Sequence, residues 1–466
     1  MTKPANRREI LKGALGAGVL GAGALKSASE AQAQFGWMKP QPQTPQGPRR
    51  LPFPEDSSAI VHYPSNCERC GACVETCRDI QKIFTPGQPL QCIHCGQCTA
   101  NCWYNGVTER FQLQEVYNQI SKKGSKKFVA LVAPAVRATL GEMFKMPAGT
   151  NVEGQTVAAL RKLGFDRVLD VTFGADLTVM EEAAEFEARL ANKSSKFPMF
   201  TSCCPAWIQF VEHFYPRMKP QISTCKSPIM MQSAVVKSYY AQREGWDPKD
   251  VVVVALTPCT AKKYEKTLGN SLDFALTTRE LGWWIAELRI PFSKLAPEKF
   301  DSLMSRGSGA GVLFGNTGGV TEAVLRTLYF QHTGKKPPKD WLTLSPIRGL
   351  DGIRKAEVEI DGKTFRIALA NGIGTAREMI QLLETVKFDF VEVMACRGGC
   401  IGGGGTPKTE IPVTDELRIK RMTALFNGDK SSEIRLSCQN PDIIEIYDKF
   451  LKKTGNPLLH TEKHDA

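Results

Sequence analysis

The sequence predicts an α/β protein: a two-lobed body of parallel or mixed sheets, preceded by a small α+β unit. From residue 126 onward, short apolar runs alternate with helical stretches, which is typical of buried parallel strands and their crossover helices. Eight of the fifteen cysteines fall within residues 67–102, and cysteines clustered this closely in a large chain indicate metal ligands. The length of 466 residues allows two or three domains.

The first 33 residues have the pattern of an export signal. "NRREILK" (6–12) holds a twin arginine, "GALGAGVLGAGAL" (13–25) is weakly hydrophobic, and "AQA" (31–33) is typical of a cleavage site. The pattern resembles a twin-arginine signal peptide, so we expect a periplasmic protein that the twin-arginine machinery exports folded, with its cofactor inserted. A membrane anchor is the alternative, but the apolar run has 13 residues, short of the ~20 that a span needs. No other stretch is a candidate span.

Residues 34–60 form a predicted linker, because "KPQPQTPQGPRRLPFPED" holds six prolines and such a segment stays extended. The chain carries a net charge of +12, of which residues 1–33 contribute five basic and two acidic side chains. The remaining basic excess favours acidic partners. No basic tract interleaved with aromatic residues accompanies it, so the sequence does not indicate nucleic-acid binding.

The cysteine-dense unit, residues 61–125, holds two copies of one spacing. "CERCGACVETC" (67–77) and "CIHCGQCTANC" (92–102) both read C-x2-C-x2-C-x3-C, which is typical of two-cluster bacterial ferredoxins. The fourth cysteine of each run then binds the other cluster. Two 4Fe–4S clusters are therefore expected, one on Cys67, Cys70, Cys73 and Cys102, the other on Cys92, Cys95, Cys98 and Cys77. Zinc is the alternative, but zinc sites use paired C-x2-C knuckles.

The body, residues 126–410, is expected to contain six buried strands. They are "FVALVAP" (128–134), "RVLDVTF" (167–173), "FPMFTS" (197–202), "VVVVALTP" (251–258), "FRIALANG" (365–372) and "FDFVEVMA" (388–395). A helix is predicted over 176–191, with Asp176 as its N-terminal cap. The tail, residues 411–466, is predicted to be helical, and the apolar stripe in "IIEIYDKFL" (443–451) should pack on the body.

Three further cysteine motifs lie in the body. They are "TSCCPAW" (201–207), "TPCTAKKYE" (257–265) and "EVMACRGGCIGGGGTP" (392–407). Together they supply four thiols from three separate segments: Cys204, Cys259, Cys396 and Cys400. Four thiolates at strand ends can hold a 4Fe–4S cubane, and spacing alone leaves zinc open as well.

These motifs, in this order, resemble the signature motifs of the iron-only (FeFe) hydrogenases. "FGADLTVMEEAAEF" (173–186) and "GAGVLFGNTGGVTEAVLRT" (309–327) support the resemblance, which covers roughly residues 60–460. It implies an active centre, the H-cluster, in which a 4Fe–4S cubane is bridged by one cysteine to a di-iron unit with CO, cyanide and dithiolate ligands. By resemblance the four thiols named above hold the cubane, and Cys400 is the bridge.

Cys203, directly before Cys204, needs a separate explanation. Neighbouring residues of an extended segment project in opposite directions, so Cys203 should face away from the cubane and toward the substrate position. A thiol titrates close enough to neutral pH to exchange protons. In the family, the matching cysteine is the first proton donor.

The resemblance implies the rest of a proton relay. Glu182 and Glu185 share one face of the predicted helix, and Arg189 follows Glu185 by one turn. Ser223 lies 20 residues after Cys203. The matched path runs Cys203, Glu182, Ser223, Glu185, with Arg189 nearby. The alternative is that the two glutamates are solvated charges on a helix surface.

Several positions are matched to the pocket of the di-iron unit. Lys262 in "PCTAK" matches the lysine that pairs with a cyanide ligand, although on its own it would be taken for a surface lysine. The other residues matched to the pocket are Pro134, Ser227, Pro228, Pro258, Phe314 and Met394. Thr257, Ala135 and Ile229 depart from the best-known members beside this pocket, which affects its tuning and leaves ligation untouched.

The remaining cysteines and histidines carry no strong signal. Cys225 and Cys438 are expected to be plain thiols, Cys225 near the pocket and Cys438 in the tail. The six histidines form no ligand-spaced pair, and His94 is expected at the surface, close to a cluster.

The resemblance implies an enzyme that interconverts H2 with protons and electrons, with partners that include cluster maturation proteins. Export favours H2 uptake with a c-type cytochrome or another one-electron carrier as acceptor. H2 evolution by the same family is the alternative. An iron–sulfur assembly or carrier relative is disfavoured, because that branch lacks the counterpart of Cys203 and an export signal. A hydrogen sensor is disfavoured because residues 411–466 are too few for a signalling domain.

Overall fold

A computed structural model describes residues 50–339 and 341–461. The predicted signal peptide (1–33) and the linker up to residue 49 lie outside the described residues. The strands are β1 Ile60–His62, β2 Val107–Glu109, β3 Lys127–Val132, β4 Arg167–Asp170, β5 Met199–Phe200, β6 Val251–Thr257, β7 Phe274–Thr277, β8 Ile353–Ile360, β9 Lys363–Asn371 and β10 Phe390–Met394.

Sixteen α-helices are assigned in the described residues. They are α1 Ala72–Glu75, α2 Gln97–Ala100, α3 Leu113–Ser121, α4 Val136–Thr139, α5 Glu153–Leu163, α6 Thr172–Ala191, α7 Pro205–Phe214, α8 Pro228–Val235, α9 Ala241–Glu244, α10 Lys262–Glu265, α11 Thr278–Glu287, α12 Gly309–Leu313, α13 Gly319–Thr333, α14 Ile373–Leu382, α15 Asp415–Ser431 and α16 Pro441–Ile446.

The predicted α/β class is confirmed by two four-stranded sheets. The first has the order β4-β3-β6-β7 and is parallel throughout. The second has the order β5-β10-β9-β8, in which only β8 runs antiparallel to its neighbour. All six predicted strands are present. Sequence reasoning missed β7 and β8; β8 and β9 form a hairpin whose Asp361-Gly362 turn has positive φ at both residues.

Both faces of the first sheet are buried, which explains its continuous apolar strands. Phe128, Ala130 and Val132 pack into one hydrophobic cluster, and Val129 and Leu131 pack into another. Because successive side chains of a strand point to opposite faces, helices must cover both sides. Such a sheet leaves its strand ends as the places where polar or reactive groups gather.

The N-terminal unit has little regular structure. Its strands β1 and β2 pair antiparallel, and its apolar core is small and includes Cys73, Cys98 and Cys102. Although the predicted unit ends at residue 125, helix α3 belongs to the packing of the body, because its apolar face is buried against the first sheet.

Helix α6 begins four residues earlier than predicted, at Thr172, and Asp176 is not its cap. The N–H of Thr172 donates to the carboxylate of Asp170 instead. Asp176 is fully buried, and it accepts hydrogen bonds from Ser308 and, across the fold, from Ser437 and Asn440. The carboxylate thus anchors the C-terminal tail on α6.

The tail packs on the body as the apolar stripe predicts. Ile443, Ile446 and Leu451 are buried in the same cluster as Val129 of the first sheet. Among residues 50–339 and 341–461, no helix combines the length and the apolar character that a membrane span requires.

Candidate metal centre

A buried cavity of about 80 Å³ lies where the carboxyl ends of the two four-stranded sheets meet. Segments that follow β5, β6 and β10 line it, as expected for sheets whose parallel strands end at one edge. Five thiols lie in its otherwise largely apolar wall: Cys203, Cys204, Cys259, Cys396 and Cys400. The fold therefore brings together the four predicted cubane ligands and the cysteine beside them.

The double cysteine is fixed by the turn from β5 into α7. Cys204 is extended, with φ −99° and ψ 103°, and Pro205 begins the helix. The carbonyl of Cys204 accepts the N–H of Trp207 at 3.0 Å, and the Trp207 ring is fully buried. Because the segment is extended up to the helix, the two neighbouring thiols can point to different parts of the cavity wall.

The other thiols are positioned by backbone rather than by helices. The N–H of Cys259 donates to Thr257 Oγ1 at 3.3 Å, in the turn after β6. Cys400 follows Gly399, which has φ +90° and approaches Thr317 so closely that a Cβ would lie 2.5 Å from the Thr317 nitrogen. Only glycine permits this conformation together with this contact.

Burial makes all four ligand candidates poor thiolates by themselves. It raises the pKa of Cys259 to about 11, with the charge of Cys204 adding to the rise and Lys262 opposing it. Burial likewise raises the pKa of Cys396 and Cys400, and in each the neighbouring thiolates raise it further. Four mutually repelling sulfurs in an apolar wall need a bound cation to ionise together.

This donor set fits an iron–sulfur cluster. Thiolates are the ligands of 4Fe–4S cubanes, and their convergence from separate segments on one buried cavity matches a closed site of four ligands. Four thiolates also suit zinc. The other residues of the cavity wall therefore distinguish a cluster site from a zinc site. That cavity contains a fifth thiol and a buried lysine, which a closed structural zinc site would not use.

Lys262 lies in the cavity wall rather than on the surface. Its ammonium is buried and contacts Glu265 Oε2 at 2.6 Å and the carbonyl of Cys203 at 3.4 Å. Burial opposes its charge, but the carboxylate of Glu265 and the thiol of Cys259 raise its pKa overall. Lys262 is thus a fixed positive charge beside the thiols.

Most residues matched to the pocket line this cavity: Pro134, Pro228, Pro258, Phe314 and Met394. Ser227 does not; its hydroxyl accepts the N–H of Met230 at 3.5 Å and caps α8. The three departures from the family pattern, Thr257, Ala135 and Ile229, all line the cavity. Sequence reasoning missed Val171 and Ala175, which carry no chemical signal and lie where β4 passes into α6.

Glu182 is a fully buried carboxyl group on α6, not a solvated charge. Its Oε1 accepts the N–H of Ser202 at 3.2 Å, and its Oε2 has no hydrogen-bond partner among the described residues. Burial raises the pKa of Glu182 to about 8. Glu182 thus contacts the residue directly before Cys203, and its charge adds to the burial that raises the pKa of Cys203.

Ser223, Glu185 and Arg189 form a connected group. Ser223 Oγ donates to Glu185 Oε2 at 2.8 Å, and the guanidinium of Arg189 donates to Glu185 Oε1 at 2.7 Å. In the part of the chain that the structure describes, no direct hydrogen bond joins Glu182 to Ser223. The structure therefore brings the matched relay residues together in two connected halves, with one gap between them.

The eight N-terminal cysteines separate into two groups of four. Cys77, from the first run, lines a small cavity with Cys92, Cys95 and Cys98 of the second. After burial, the thiols of Cys102 and Cys67 raise the pKa of Cys70, so Cys102 lies with the first run. The fourth cysteine of each run thus crosses to the other group, as in the two-cluster pattern.

The second group adjoins the buried cavity through Gln97. The side-chain amide of Gln97 donates to Cys396 Sγ at 3.2 Å and to the carbonyl of Gly402 at 2.9 Å. Gly404 packs so closely on Cys95 that a Cβ there would lie 2.5 Å from the Cys95 carbonyl oxygen. Sequence reasoning missed Gln97, because its partner is 299 residues away along the chain.

His94 is half-buried rather than exposed, and it lies close to a cysteine group as expected, because its N–H donates to Cys92 Sγ at 3.4 Å. Its Nδ1 lies 2.5 Å from Gln209 Oε1, its ring stacks on Tyr264 at 4.9 Å, and its carbonyl accepts the hydroxyl of Thr260. Burial lowers its pKa. The contacts from Gln209, Thr260 and Tyr264 place it at the junction between the N-terminal unit and the body.

The two leftover cysteines differ. Cys438 is a half-buried tail thiol whose pKa burial raises to about 11. Cys225 is buried beside the relay, with its Sγ 3.7 Å from Glu185 Oε2, and so is more than a plain packing thiol.

Buried thiols at the strand ends of one parallel and one mixed sheet, with a cysteine-rich unit against them, define an iron–sulfur oxidoreductase. Two family models match the chain: the C-terminal domain of the iron-only hydrogenase large subunit over residues 126–404, and the iron hydrogenase small subunit over residues 415–464. The chain belongs to the iron-only hydrogenase family, whose members support H2 oxidation and proton reduction.

Individual similar proteins support the same family assignment. The NADP-reducing hydrogenase subunit HndD of Solidesulfovibrio fructosivorans is 39% identical over 87% of this chain and 74% of its own length. The periplasmic Fe hydrogenase large subunit of Nitratidesulfovibrio vulgaris is 40% identical over 81% of this chain and 94% of its own. A solved FeFe hydrogenase structure, HydA(ΔEFG), superposes with a TM-score of 0.65 at 40% identity, covering 75% of this chain and 98% of that one.

The branch of iron–sulfur assembly proteins is more distant. The cytosolic iron–sulfur assembly component 3 of Bos taurus is 27% identical over 80% of this chain and 83% of its own length. The lower identity agrees with the expectation that this chain is not of the assembly branch.

Proposed function

We propose that this chain is a periplasmic hydrogenase that oxidises H2 and passes the electrons, through two N-terminal 4Fe–4S clusters, to a c-type cytochrome or another one-electron carrier. One observation carries the hydrogenase site: the four ligand thiols, Cys203 and Lys262 all line one buried cavity. An assembly or carrier protein would need the four ligands, but not a fifth thiol with a buried carboxyl group beside it.

The residues that line the cavity have separate roles in the proposed reaction. Cys204, Cys259, Cys396 and Cys400 would hold the H-cluster, and when bound it supplies the metal at which H2 and protons interconvert. The apolar wall excludes water, so protons must travel on side chains. Cys203 holds or moves the proton nearest the reaction, and Glu182, Ser223 and Glu185 connect it to the surface. A water molecule between Glu182 and Ser223 would close the gap in that path.

Lys262 would orient the cluster electrostatically. As a buried ammonium beside the thiols, it offers a fixed donor toward an anionic ligand in the cavity. Glu265 holds it in place at 2.6 Å.

Electrons would leave the cavity through the cysteine-rich unit. The contact of Gln97 with Cys396 supports a short route from the cavity to the cysteine group of Cys77, Cys92, Cys95 and Cys98. The group of Cys67, Cys70, Cys73 and Cys102 would be the outer station, where the one-electron carrier docks.

We assign five segments: signal peptide 1–33, linker 34–60, ferredoxin-like unit 61–125, catalytic domain 126–410 and small-subunit-like tail 411–466. The family matches over 126–404 and 415–464 support the last two boundaries. Export by the twin-arginine machinery rests on "NRREILK" (6–12) and "AQA" (31–33). Outside the cytoplasm, c-type cytochromes are the natural acceptors, which favours uptake. Maturation proteins would have to insert the cluster before export.

Infrared spectroscopy of the purified, matured protein tests the centre. CO and cyanide bands, with iron for two further cubanes, are expected; stoichiometric zinc without these bands would overturn the assignment. Rates of H2 oxidation and H2 evolution with dyes, compared in one preparation, test the direction.

The localisation has its own test. Replacing Arg7 and Arg8 with Lys should leave active enzyme in the cytoplasm, whereas normal export of the double variant would mean that the segment is not a twin-arginine signal. Cell fractionation with an in-gel hydrogenase assay measures this.

A further inference from the structure

Lys408, which follows the glycine run 402–405, is a lysine in the interior of the molecule. Its side chain is only 2% exposed. Its ammonium donates to the carbonyl of Cys102 at 3.0 Å and to Asn105 Oδ1 at 2.9 Å. Both acceptors are neutral, and in the part of the chain that the structure describes no ion pair joins this ammonium to a carboxylate. A buried charge is costly unless an opposite charge stabilises it, so negative charge must come from another group.

The carboxylate of Glu109, which helps to stabilise Lys408, already has a stronger partner. Glu109 ends β2 and is buried, and its two oxygens accept the guanidinium of Arg279 at 3.0 and 2.6 Å. Burial opposes its ionisation, but Arg279 lowers the pKa of Glu109 to about 2, so the carboxylate stays charged. The charges of Glu109 and Arg279 offset each other, and the positive charge of Lys408 is left over.

Cysteine sulfurs supply the opposite charge. Burial and the charge of Arg279 lower the pKa of Lys408 to about 8, whereas the thiolates of Cys102 and, more weakly, Cys98 raise it. A 4Fe–4S cluster on four thiolates carries a net negative charge, which grows by one on reduction. The stronger of the two sulfur neighbours, Cys102, belongs to the outer group, which consists of Cys67, Cys70, Cys73 and Cys102.

The loop 102–107, which the buried ammonium holds, also covers the outer group. The N–H of Val107 donates to Cys102 Sγ at 3.4 Å. Gly106 packs so closely on Cys67 that a Cβ there would lie 2.9 Å from Cys67 Cα. The ammonium is therefore anchored to the segment that carries one outer ligand and packs on another.

The contacts to the inner group, which consists of Cys77, Cys92, Cys95 and Cys98, are of a different kind. The backbone N–H of His94 donates to Cys92 Sγ at 3.4 Å, and burial lowers the pKa of the His94 ring, which favours its neutral form. Lys408 acts on Cys98 less than on Cys102. A change of charge at Lys408 should therefore affect the outer group more than the inner one.

We propose that Lys408 is the charge-compensating residue of the outer cluster and raises the reduction potential of that cluster. This inference rests on the proposed function, because it takes the outer group to hold a 4Fe–4S cluster. A fixed positive charge stabilises the reduced, more negative form of a cluster over the oxidised form. During H2 oxidation one electron then passes from the inner cluster, which is oxidised, to the outer cluster, which is reduced, and no bond is formed or broken.

The test uses the matured full-length protein with Lys408→Met, Lys408→Gln and, as a matched control, Lys453→Met, which removes the same charge from an exposed position. Redox titration followed by EPR measures the midpoint potentials of the two N-terminal clusters. In both Lys408 variants we expect the equilibrium constant for reducing the outer cluster to fall about tenfold, because the charge is lost in a buried site. For one electron this is a shift of about 59 mV to more negative potential. Lys453→Met should match the wild type.

A second background identifies the cluster that responds. Cys70→Ala removes a ligand of the outer group, so the titration then follows the inner cluster. Adding Lys408→Met in this background should shift the remaining potential by less than it shifts the outer potential in the intact protein. An equal or larger shift there would overturn the assignment to the outer cluster.

The two Lys408 variants separate charge from hydrogen bonding. Unchanged N-terminal potentials in both would overturn the inference. So would a shift in Lys408→Met that is absent in Lys408→Gln, because the amide keeps a hydrogen-bond donor and removes only the charge. Iron content shows whether the clusters are intact, and if Lys408→Met loses iron, Lys408→Gln decides.

The wild type distinguishes failure of this inference from failure of the proposed function. If the wild type lacks the iron and the EPR signals of two N-terminal cubanes, the proposed function fails. If the wild type has them and the Lys408 variants titrate at the same potentials, only this inference fails.

Discussion

The two sides of the buried cavity are built in different ways. On the metal side, Cys204, Cys259, Cys396 and Cys400 come from turns after β5, β6 and β10, and backbone geometry positions them. On the proton side, Glu182 and Glu185 sit on the single helix α6, and side-chain burial and hydrogen bonds decide their behaviour.

The difference has a chemical reason. A cluster needs four ligands at fixed positions, and strand ends with glycine turns give rigid positions at close range. A proton path needs groups that gain and lose protons, and the pKa of each group depends on how deeply it is buried. Substitutions on the metal side should therefore prevent the cofactor from binding, whereas substitutions on the proton side should lower only the rate of turnover.

Cys204→Ser should have the largest effect. A serine hydroxyl is a poor cluster ligand, so the catalytic cluster should be lost and H2 oxidation should fall below detection. Iron analysis and infrared spectra measure the loss. Cys438→Ser, the same change at a thiol outside the cavity, should keep iron, bands and rate. Full iron and intact bands in Cys204→Ser would contradict the ligand assignment.

Cys203→Ser should impair proton transfer without removing the cluster. We expect H2 oxidation to fall by about 10²–10⁴-fold, because a hydroxyl is too weak an acid to exchange protons at neutral pH. The infrared bands should persist, since Cys203 is not a ligand. Cys203→Asp should retain part of the activity, because a carboxylate carries protons. A near-normal rate in Cys203→Ser would refute the proton role, and lost bands would make Cys203 structural.

The raised pKa of Glu182 predicts that the free energy of unfolding depends on pH. Its pKa is raised by burial from 4.5 to about 8 in the folded protein, so between these values the folded chain keeps a proton that the unfolded chain has released. The free energy of unfolding should then fall as pH rises through this window, by about 1 kcal/mol per pH unit from this group.

Glu182→Gln should remove that contribution. Denaturant titrations of both proteins at several pH values between 5 and about 8 would compare the slopes. Glu185→Gln at the half-buried position serves as the control. Equal slopes for Glu182→Gln and the wild type would mean that Glu182 is ionised throughout this pH range. The buried carboxyl group would then not hold a proton for the relay.

Gln97→Leu should have the smallest effect, because it removes one hydrogen bond to a ligand and no ligand. Such a bond is worth about 1 kcal/mol, and a donor to a cluster sulfur stabilises the reduced, more negative cluster. The midpoint potential of the cluster bound by Cys396 should therefore become more negative, with the iron content unchanged. A redox titration followed by EPR measures the shift.

Gln114→Leu is the matched control for this last change, because Gln114 is exposed on α3. An unchanged potential in Gln97→Leu would mean that the amide positions the two units without tuning the metal.

Local spacing was enough to predict much of this protein. The apolar runs predicted all six strands named above, because a strand buried on both faces must be apolar at every position. The spacing C-x2-C-x2-C-x3-C predicted both cysteine groups, and the adjacent pair Cys203–Cys204 pointed to two roles for two thiols. These features depend on residues that are close together in the chain.

Only the tertiary structure decided the features that depend on distant residues. Asp176 looked like a helix cap but anchors Ser437 and Asn440, and His94 looked exposed but is packed against Gln209 and Tyr264. The contacts of Gln97 with Cys396, and of His460 with Glu181, join residues about 300 positions apart. Periodicity and spacing report which side chains are neighbours along an element. Burial, unpaired carboxyl oxygens and the chemistry they permit depend on which elements pack together, and no local pattern contains that information.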